Sequence, residues 1–333
     1  MTDDADVTVV GRTVDAAVEA AVAADPSRDP DGVRSDLLGV ADDGAVTAAA
    51  VEERVGETSL VVATAENRVE FAGAAVADAR EAAADAGVDG LDAVRARLDR
   101  LKATLAAVEA DLSALQDDFA AAVDRIEGAD ATYAAVRALR DADRDARSVR
   151  AAADELKVDA DGFARQVRDP SAWVGELAGD VDALAEAVDD LSAAVERVAG
   201  ADAADADGGE RGAGSTVDPG ALWADARLRA TAYDLLLTDL RAELADLREW
   251  PTGAPDGVDA AADRVAALDD RLTDLRGRLD AEARPAWRER HGDRVARFAA
   301  DVADRDPPVD WAAVQGSLAD HRTAVNEAAD GAG

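Results

Sequence analysis

Apolar residues recur at alternating spacings of three and four over residues 91–126, which is the most regular stretch of the chain. This spacing places them on one face of an α-helix, and its length of five heptads is typical of a coiled-coil or bundle seam. At 1.5 Å per residue, a helix over residues 89–127 is roughly 60 Å long, and Gly128 ends it. The apolar positions are Leu91, Val94, Leu98, Leu101, Leu105, Val108, Leu112, Leu115, Phe119, Ala122 and Ile126.

A second heptad pattern follows Asp169-Pro170 and predicts another long helix. Valine and leucine alternate in it, a combination that favours two-stranded coiled coils. However, alanine at flanking positions such as Ala178 and Ala185 widens the apolar face and favours a helix packed inside a bundle. The pattern leaves open whether such stripes pair within one chain or between chains. The apolar positions are Val174, Leu177, Val181, Leu184, Val188, Leu191, Val195 and Val198.

Proline, glycine and aspartate clusters divide the chain into four parts. Residues 1–88 predict a small helical domain, in which Ser59–Ala63 is also compatible with a brief strand. Residues 89–200 hold the long helices, including one over 132–156. Residues 201–217 are rich in Gly, Ala and Asp, which is typical of a flexible acidic linker, and residues 218–330 predict a C-terminal helical region.

These patterns predict an all-α fold. Single helices with such stripes cannot bury them alone, so they must pack against one another. We expect the long heptad-patterned helices to form either antiparallel coiled-coil hairpins or an elongated helical bundle.

The charge balance changes the expected environment. The net charge is −36, from 72 acidic and 36 basic residues, and Lys102 and Lys157 are the only lysines. Self-repulsion at this level destabilises a compact chain, whereas molar salt shortens the Debye length to about 3 Å and screens the repulsion. A GC-rich genome would explain arginine over lysine but not two acids for every base. We therefore expect a salt-adapted, halophilic protein that requires high salt to fold.

Several classes of function become improbable on composition. The chain has no cysteine, which removes disulfides and thiolate chemistry. No predicted domain is net basic, so nucleic-acid binding is not expected. No uncharged stretch is long enough to span a bilayer, and the N-terminus is acidic where a signal peptide is basic. We expect a cytoplasmic protein with no membrane insertion, no metal and no cofactor.

Two clusters are candidates for interaction with a partner or an anion. Arg137, Arg140, Arg144 and Arg147 share one helical face, where ion pairs with Asp141, Asp143 and Asp145 are the simpler interpretation. The second cluster follows a proline and also lies on one side of a predicted helix. In it, Trp287 and His291 are also compatible with a packed stripe. The second cluster consists of Arg284, Trp287, Arg288 and His291.

The C-terminal part contains Arg-Pro-Ala-Trp-Arg at residues 284–288 and Asp-Pro-Pro-Val-Asp-Trp at residues 306–311. Together with the acidic N-terminal domain and the Ala-, Leu- and Asp-rich heptad helices, these segments resemble haloarchaeal proteins labelled halo transducer proteins. The resemblance implies an archaeal protein with a role in signal transduction. The sequence shows no methyl-acceptor Glu/Gln pairs and no signalling-hairpin tip of the chemotaxis transducers, so no functional residue is carried over.

We therefore expect a non-enzymatic helical scaffold or adaptor. Its heptad faces would bind a protein partner or a second copy of the chain, as in coiled-coil interactions. Two alternatives stay open. One is a small-ligand-binding or enzymatic helical bundle, which a buried carboxylate pair with a strongly perturbed pKa would favour. The other is a structural rod or spacer.

The charge argument predicts that folding depends on salt. We expect the helical circular dichroism signal to persist in molar KCl and to fall when the salt is dialysed away, because self-repulsion is then unscreened. Cooperative unfolding of equal stability in dilute buffer would contradict the halophilic interpretation.

Overall fold

The computed structural model describes residues 7–128, 131–206 and 218–330. Ten helices make up most of these residues, and 84% of the structure is helical. The all-α prediction is confirmed and the helices pack as a bundle, whereas coiled-coil hairpins are not confirmed. In chain order the elements are α1 (Val14–Ala24), α2 (Pro30–Leu38), β1 (Ala41–Asp42), β2 (Ala45–Val46), α3 (Ala48–Ala86), α4 (Asp92–Gly128), α5 (Tyr133–Arg168), α6 (Pro170–Ala206), α7 (Pro219–Arg248), α8 (Val258–Glu282), α9 (Pro285–Ala303) and α10 (Trp311–Asp330).

A short antiparallel hairpin connects α2 to α3. Strands β1 and β2 pair through Ala41 with Val46 and through Asp42 with Ala45. Asp43 and Gly44 form the two-residue loop, with φ angles of 46° and 79°. An Asp-Gly pair suits this loop because both positions need positive φ, which glycine and, to a lesser degree, aspartate tolerate.

Helix α3 includes a segment that was also compatible with a strand, and α5 is longer than the helix predicted over 132–156. The brief strand considered at Ser59–Ala63 is helical, because Val62 continues an apolar stripe of helical spacing that is buried through Val69. Helix α5 passes through Gly162 and ends at Arg168. A glycine inside a helix costs about 1 kcal/mol, and burial of the next residue, Phe163, offsets that cost.

The contacts group the chain into two compact units. The first unit takes in the chain up to Glu81 together with Leu98–Ala164, and the second takes in Ala82–Arg97 and the chain from Arg165 onward. The four-part domain division stays a prediction. The predicted linker at 201–217 begins inside α6, and its residues 207–217 lie outside the described residues.

Within the first unit, α3 contacts both α4 and α5. Gln116 of α4 donates a hydrogen bond to Glu66 of α3 over 2.5 Å, and Arg54 of α3 forms an ion pair with Asp143 of α5 at 3.1 Å. The long stripe predicted on α4 is buried at every seventh residue and half-buried between. Its buried members in this unit are Leu101, Val108, Leu115 and Ala122.

Within the second unit, α6 and α8 run in the same direction. Arg264, Arg271 and Arg278 on α8 pair with Asp182, Asp189 and Glu196 on α6, always across a separation of 82 residues. A constant separation occurs only if the two helices are parallel. The valine and leucine stripes of both helices are buried beneath these pairs.

Helix α7 runs antiparallel to α8. Every seventh residue of α7 forms an ion pair with α8, and the residue number of the partner decreases as the residue number on α7 increases. They join Arg227 to Asp280, Asp234 to Arg276, Arg241 to Asp269 and Arg248 to Asp259.

Three carboxylates of α7 accept hydrogen bonds from other elements of the second unit. Asp239 is buried and accepts from the Val309 backbone N–H at 3.0 Å and from the Trp311 indole at 2.7 Å. Asp246 is also buried and accepts from the first-turn backbone N–H groups of α4 at 2.7 and 3.1 Å. Glu243 accepts from the Trp173 indole at 2.8 Å. These bonds attach the start of α4, the start of α6 and the turn before α10 to α7.

No helix within the described residues combines the length and the apolar composition needed to cross a bilayer.

The Asp239 contacts predict a large effect of one substitution. Asp239→Ala leaves two donors without their acceptor, and we expect it to lower the free energy of unfolding by about 2–4 kcal/mol. Urea unfolding in molar KCl followed by tryptophan fluorescence measures this, because all five tryptophans lie in the second unit. Asp274→Ala on the exposed face of α8 is the control and should change little. Equal stability of the two variants would contradict the role given to Asp239.

Candidate anion-binding cavity

A cavity of about 660 Å³ lies within the second unit. Helix α7 supplies its floor, α8 one wall, and α9 with the segment after it the other. Its volume falls within the range of small-molecule sites in proteins. The lining residues are Trp223, Arg227, Thr231, Asp234, Leu235, Thr238, Arg276, Asp280, Arg288, Gly292, Val295, Ala296, Ala299, Val302, Ala303, Arg305, Asp306 and Pro307.

The cavity exists because α9 turns small residues toward it. Gly292, Ala296, Ala299 and Ala303 follow one another at spacings of four, three and four, so they share one face of the helix. A β-carbon at Gly292 would have a single neighbour within 4 Å, Arg288 Cβ at 4.0 Å. This wall therefore leaves open the space that larger side chains would fill.

Guanidinium groups from α7 and α9 meet at one end of the cavity. Arg227 Nη1 of α7 lies 2.9 Å from Asp280 Oδ1 of α8, and Arg288 Nη2 of α9 donates to the Asp280 carbonyl at 2.9 Å. On the same wall, Arg276 Nη1 lies 2.9 Å from Asp234 Oδ1. At the other end, Arg305, which follows α9, donates to the Asp301 carbonyl of that helix.

Arg227 carries unused donors in this cluster. Its side chain is 23% exposed, and its Nε and Nη1 atoms are buried without a hydrogen-bond acceptor among the described residues. Nη1 is near Asp280 but lacks the alignment of a hydrogen bond, so we treat that contact as an ion pair only. Buried donors that lack an acceptor are unfavourable, and an anion in the cavity would supply one.

The arginine face predicted on α5 lies in the first unit, and each of its members contacts a carboxylate. Arg137 and Arg144 pair with Asp141, and Arg147 pairs with the buried Asp143 at 2.7 Å.

Arg140, the remaining member of that face, pairs with Asp36 of α2, which is buried and also accepts from the Tyr133 hydroxyl at 2.9 Å. Burial, followed by the Asp36 carboxylate, raises the pKa of Tyr133 to about 12. Each arginine of the face therefore has a carboxylate partner inside its own unit.

The structure separates the second predicted cluster. Arg284 lies over the Trp287 ring at 4.9 Å, and Trp287 is buried against the backbone of α7. A β-carbon at Gly220 would lie 2.9 Å from Trp287 Cδ1, so this close approach requires glycine there. Of the eight residues predicted as candidates, Arg288 alone lines the cavity.

His291 is fully buried on α9, and neither ring nitrogen has a hydrogen-bond partner among the described residues. The nearest carboxylate, Asp218, is 3.8 Å from Nε2, which is too far for a hydrogen bond. Burial lowers the pKa of His291, and the positive charges of Arg290 and Arg294 act in the same direction, whereas Asp218 opposes them. His291 belongs to the packed stripe with Val295 and Phe298 and is not among the cavity residues.

Sequence reasoning missed Arg227, Arg276 and Arg305. The sequence does contain a sign of this cavity: α9 has a face of small residues, and α7 has a stripe of polar residues with the same helical spacing. That stripe consists of Arg227, Thr231, Asp234 and Thr238.

The pKa values of the Glu243 and Asp246 carboxyls are raised, and a raised carboxyl pKa is one property of acid–base groups in active sites. Burial is the largest cause in both. Arg97 and the Trp173 hydrogen bond oppose it at Glu243, and the backbone hydrogen bonds from α4 oppose it at Asp246. Both carboxylates are already engaged by donors from other elements, so packing of α7 accounts for them.

Among the described residues, no group of three or more His, Asp or Glu side chains could hold a metal ion. Comparison with known proteins adds no further constraint on the cavity: no protein-family model, no curated protein and no solved structure matches this chain.

Proposed function

We propose that the second unit is a ligand-binding helical bundle whose α7–α9 cavity takes a small organic anion. The observation that carries this proposal is the convergence of Arg227 and Arg288, from two different helices, on Asp280 at one end of a 660 Å³ cavity. This end of the cavity is therefore positively charged, in a chain that has 72 acidic and 36 basic residues.

The charges at this end support binding of an acidic group. Arg276 is neutralised by Asp234, and the Asp280 carboxylate contacts Arg227, while among the described residues Arg288 bonds only to a main-chain carbonyl. At the arginine end two guanidiniums thus face one carboxylate. Charge-assisted bonds from a fixed guanidinium to a carboxylate or phosphate are strong, and partly buried pairs are screened less by salt than exposed ones. The site is therefore compatible with a salt-rich environment.

Arginine Nε–H signals in nuclear magnetic resonance spectra test this proposal directly. We expect inorganic phosphate and acetate to shift the Arg227 and Arg288 signals of the full chain in a saturable way. Arg288→Gln should weaken the affinity about tenfold or more, because a hydrogen bond to a charged group contributes roughly 1.5–3 kcal/mol. Arg297→Gln is the matched control on the exposed face of α9. No saturable shift, or the same affinity in both variants, would reject the proposal.

A separate observation favours the adaptor role as a second candidate. Leu60 and Phe71 on α3 are 72% and 51% exposed. They lie eleven residues apart, about three turns, and therefore on one side of the helix. Thr64 and Asn67 between them are uncharged and bond to carbonyls of their own helix. We propose that this uncharged face pairs with the same face of a second copy once salt screens the net charge.

Light scattering in molar KCl over a range of protein concentrations tests the second candidate. The wild-type chain should form a dimer that Leu60→Ser combined with Phe71→Ser dissociates. Val158→Ser removes a comparably exposed apolar side chain elsewhere and should leave the dimer intact. A wild-type monomer throughout, or a dimer in the double variant, would count against this role.

A further inference from the structure

The cavity is chemically asymmetric along its length. Helices α7 and α9 run in the same direction, because Gly220 meets Trp287 near their starts, and Asp239 in the second half of α7 meets the Val309 backbone beyond the end of α9. Arg227 and Arg288 therefore lie at the same end. Beyond them, the α9 wall carries no charged side chain until Arg305.

The apolar part of this wall is long and narrow. From Gly292 to Ala303 the helix rises about 16 Å at 1.5 Å per residue. The side chains that α9 presents over this length are glycine, alanine and valine. A branched or bulky ligand gains nothing from a trough of this shape, whereas a linear chain can follow it and remove its apolar surface from water.

The floor and the opposite wall offer few free donors along the trough. The Thr231 and Thr238 hydroxyls donate to the Arg227 and Asp234 carbonyls of their own helix. The Asp234 carboxylate and the Arg276 guanidinium neutralise each other. A polar ligand body would therefore lose its hydrogen bonds to water without replacing them, which disfavours sugars and other polyhydroxylated anions.

We propose that the ligand is a linear amphipathic anion. Its carboxylate or phosphate head contacts Arg227 and Arg288, and its unbranched apolar chain lies along α9 over Ala296, Ala299 and Ala303. This inference rests on the proposed function, because the head occupies the same arginine cluster. It adds the chain as the part of the ligand that the trough recognises.

Isothermal calorimetry on the full chain in molar KCl separates head from chain, with every probe kept below its micelle concentration. Decanoate and decyl phosphate share a chain and differ in the head, and butyrate keeps the carboxylate with little chain. We expect decanoate to bind at least about tenfold more tightly than butyrate, since each buried methylene adds to the affinity. The tighter of the two decyl anions identifies the head group. Decyltrimethylammonium, with the same chain on a cation, should not bind.

Matched variants locate the chain. Ala296→Phe fills the trough, and we expect it to reduce decanoate binding to the level of butyrate without changing butyrate binding. Ala300→Phe adds the same ring at an exposed position outside the cavity and should leave both affinities unchanged.

The outcomes distinguish this inference from the proposed function. Equal affinity for decanoate and butyrate in the wild-type chain overturns the amphipathic ligand but leaves anion binding in place. Binding of the decyl cation as tight as that of decanoate also overturns it, because the chain alone would then be recognised. Absence of any anion response at Arg227 and Arg288 removes the proposed function itself.

Discussion

Helix α7 carries Asp239 and Asp246 into the interior of the second unit and Glu243 to its margin, and each carboxylate meets a donor from another element. A buried charge without a partner is costly, so these three acceptors restrict which elements can surround α7. The elements that satisfy them are the first turn of α4, the Trp173 indole of α6 and the turn before α10.

The same helix determines where the cavity lies. One side of α7 bears the inward carboxylates, and another bears the arginine and aspartate ladder that meets α8. Because both α8 and α9 pack against α7, the small residues on α9 leave a trough above the part of α7 that carries Arg227 and Thr231. A polar floor below an apolar wall results from this arrangement, and it requires no unusual backbone geometry.

The sequence predicted which face of a helix is buried, but much less about which helices pack against one another. Heptad spacing identified the buried stripes on α4 and α6. The helix predicted over 132–156 extends through Gly162 to Arg168, because the apolar stripe continues past the glycine. Arg227 and Arg276 could not be placed together from the sequence, because their proximity depends on the antiparallel pairing of α7 with α8. The trough also exists because the side chains of α9 are small, and the sequence does not show which helices lie opposite them.

The repeated contacts between the parallel helices α6 and α8 do not by themselves determine the register of the two helices. Three arginine–carboxylate ion pairs and regular layers of valine and leucine repeat every seven residues. A shift of one helix by seven residues would therefore keep most of these contacts. A repeat cannot by itself choose among such registers. The choice must come from features that occur once. One is Gly257, where a β-carbon would lie 3.3 Å from Val174 of α6. Another is the Trp223 indole of α7, which bonds to the Leu279 carbonyl at 3.0 Å and so aligns α8 with α7. In this unit the repeated residues supply affinity between helices, and the unrepeated residues at the ends select the alignment.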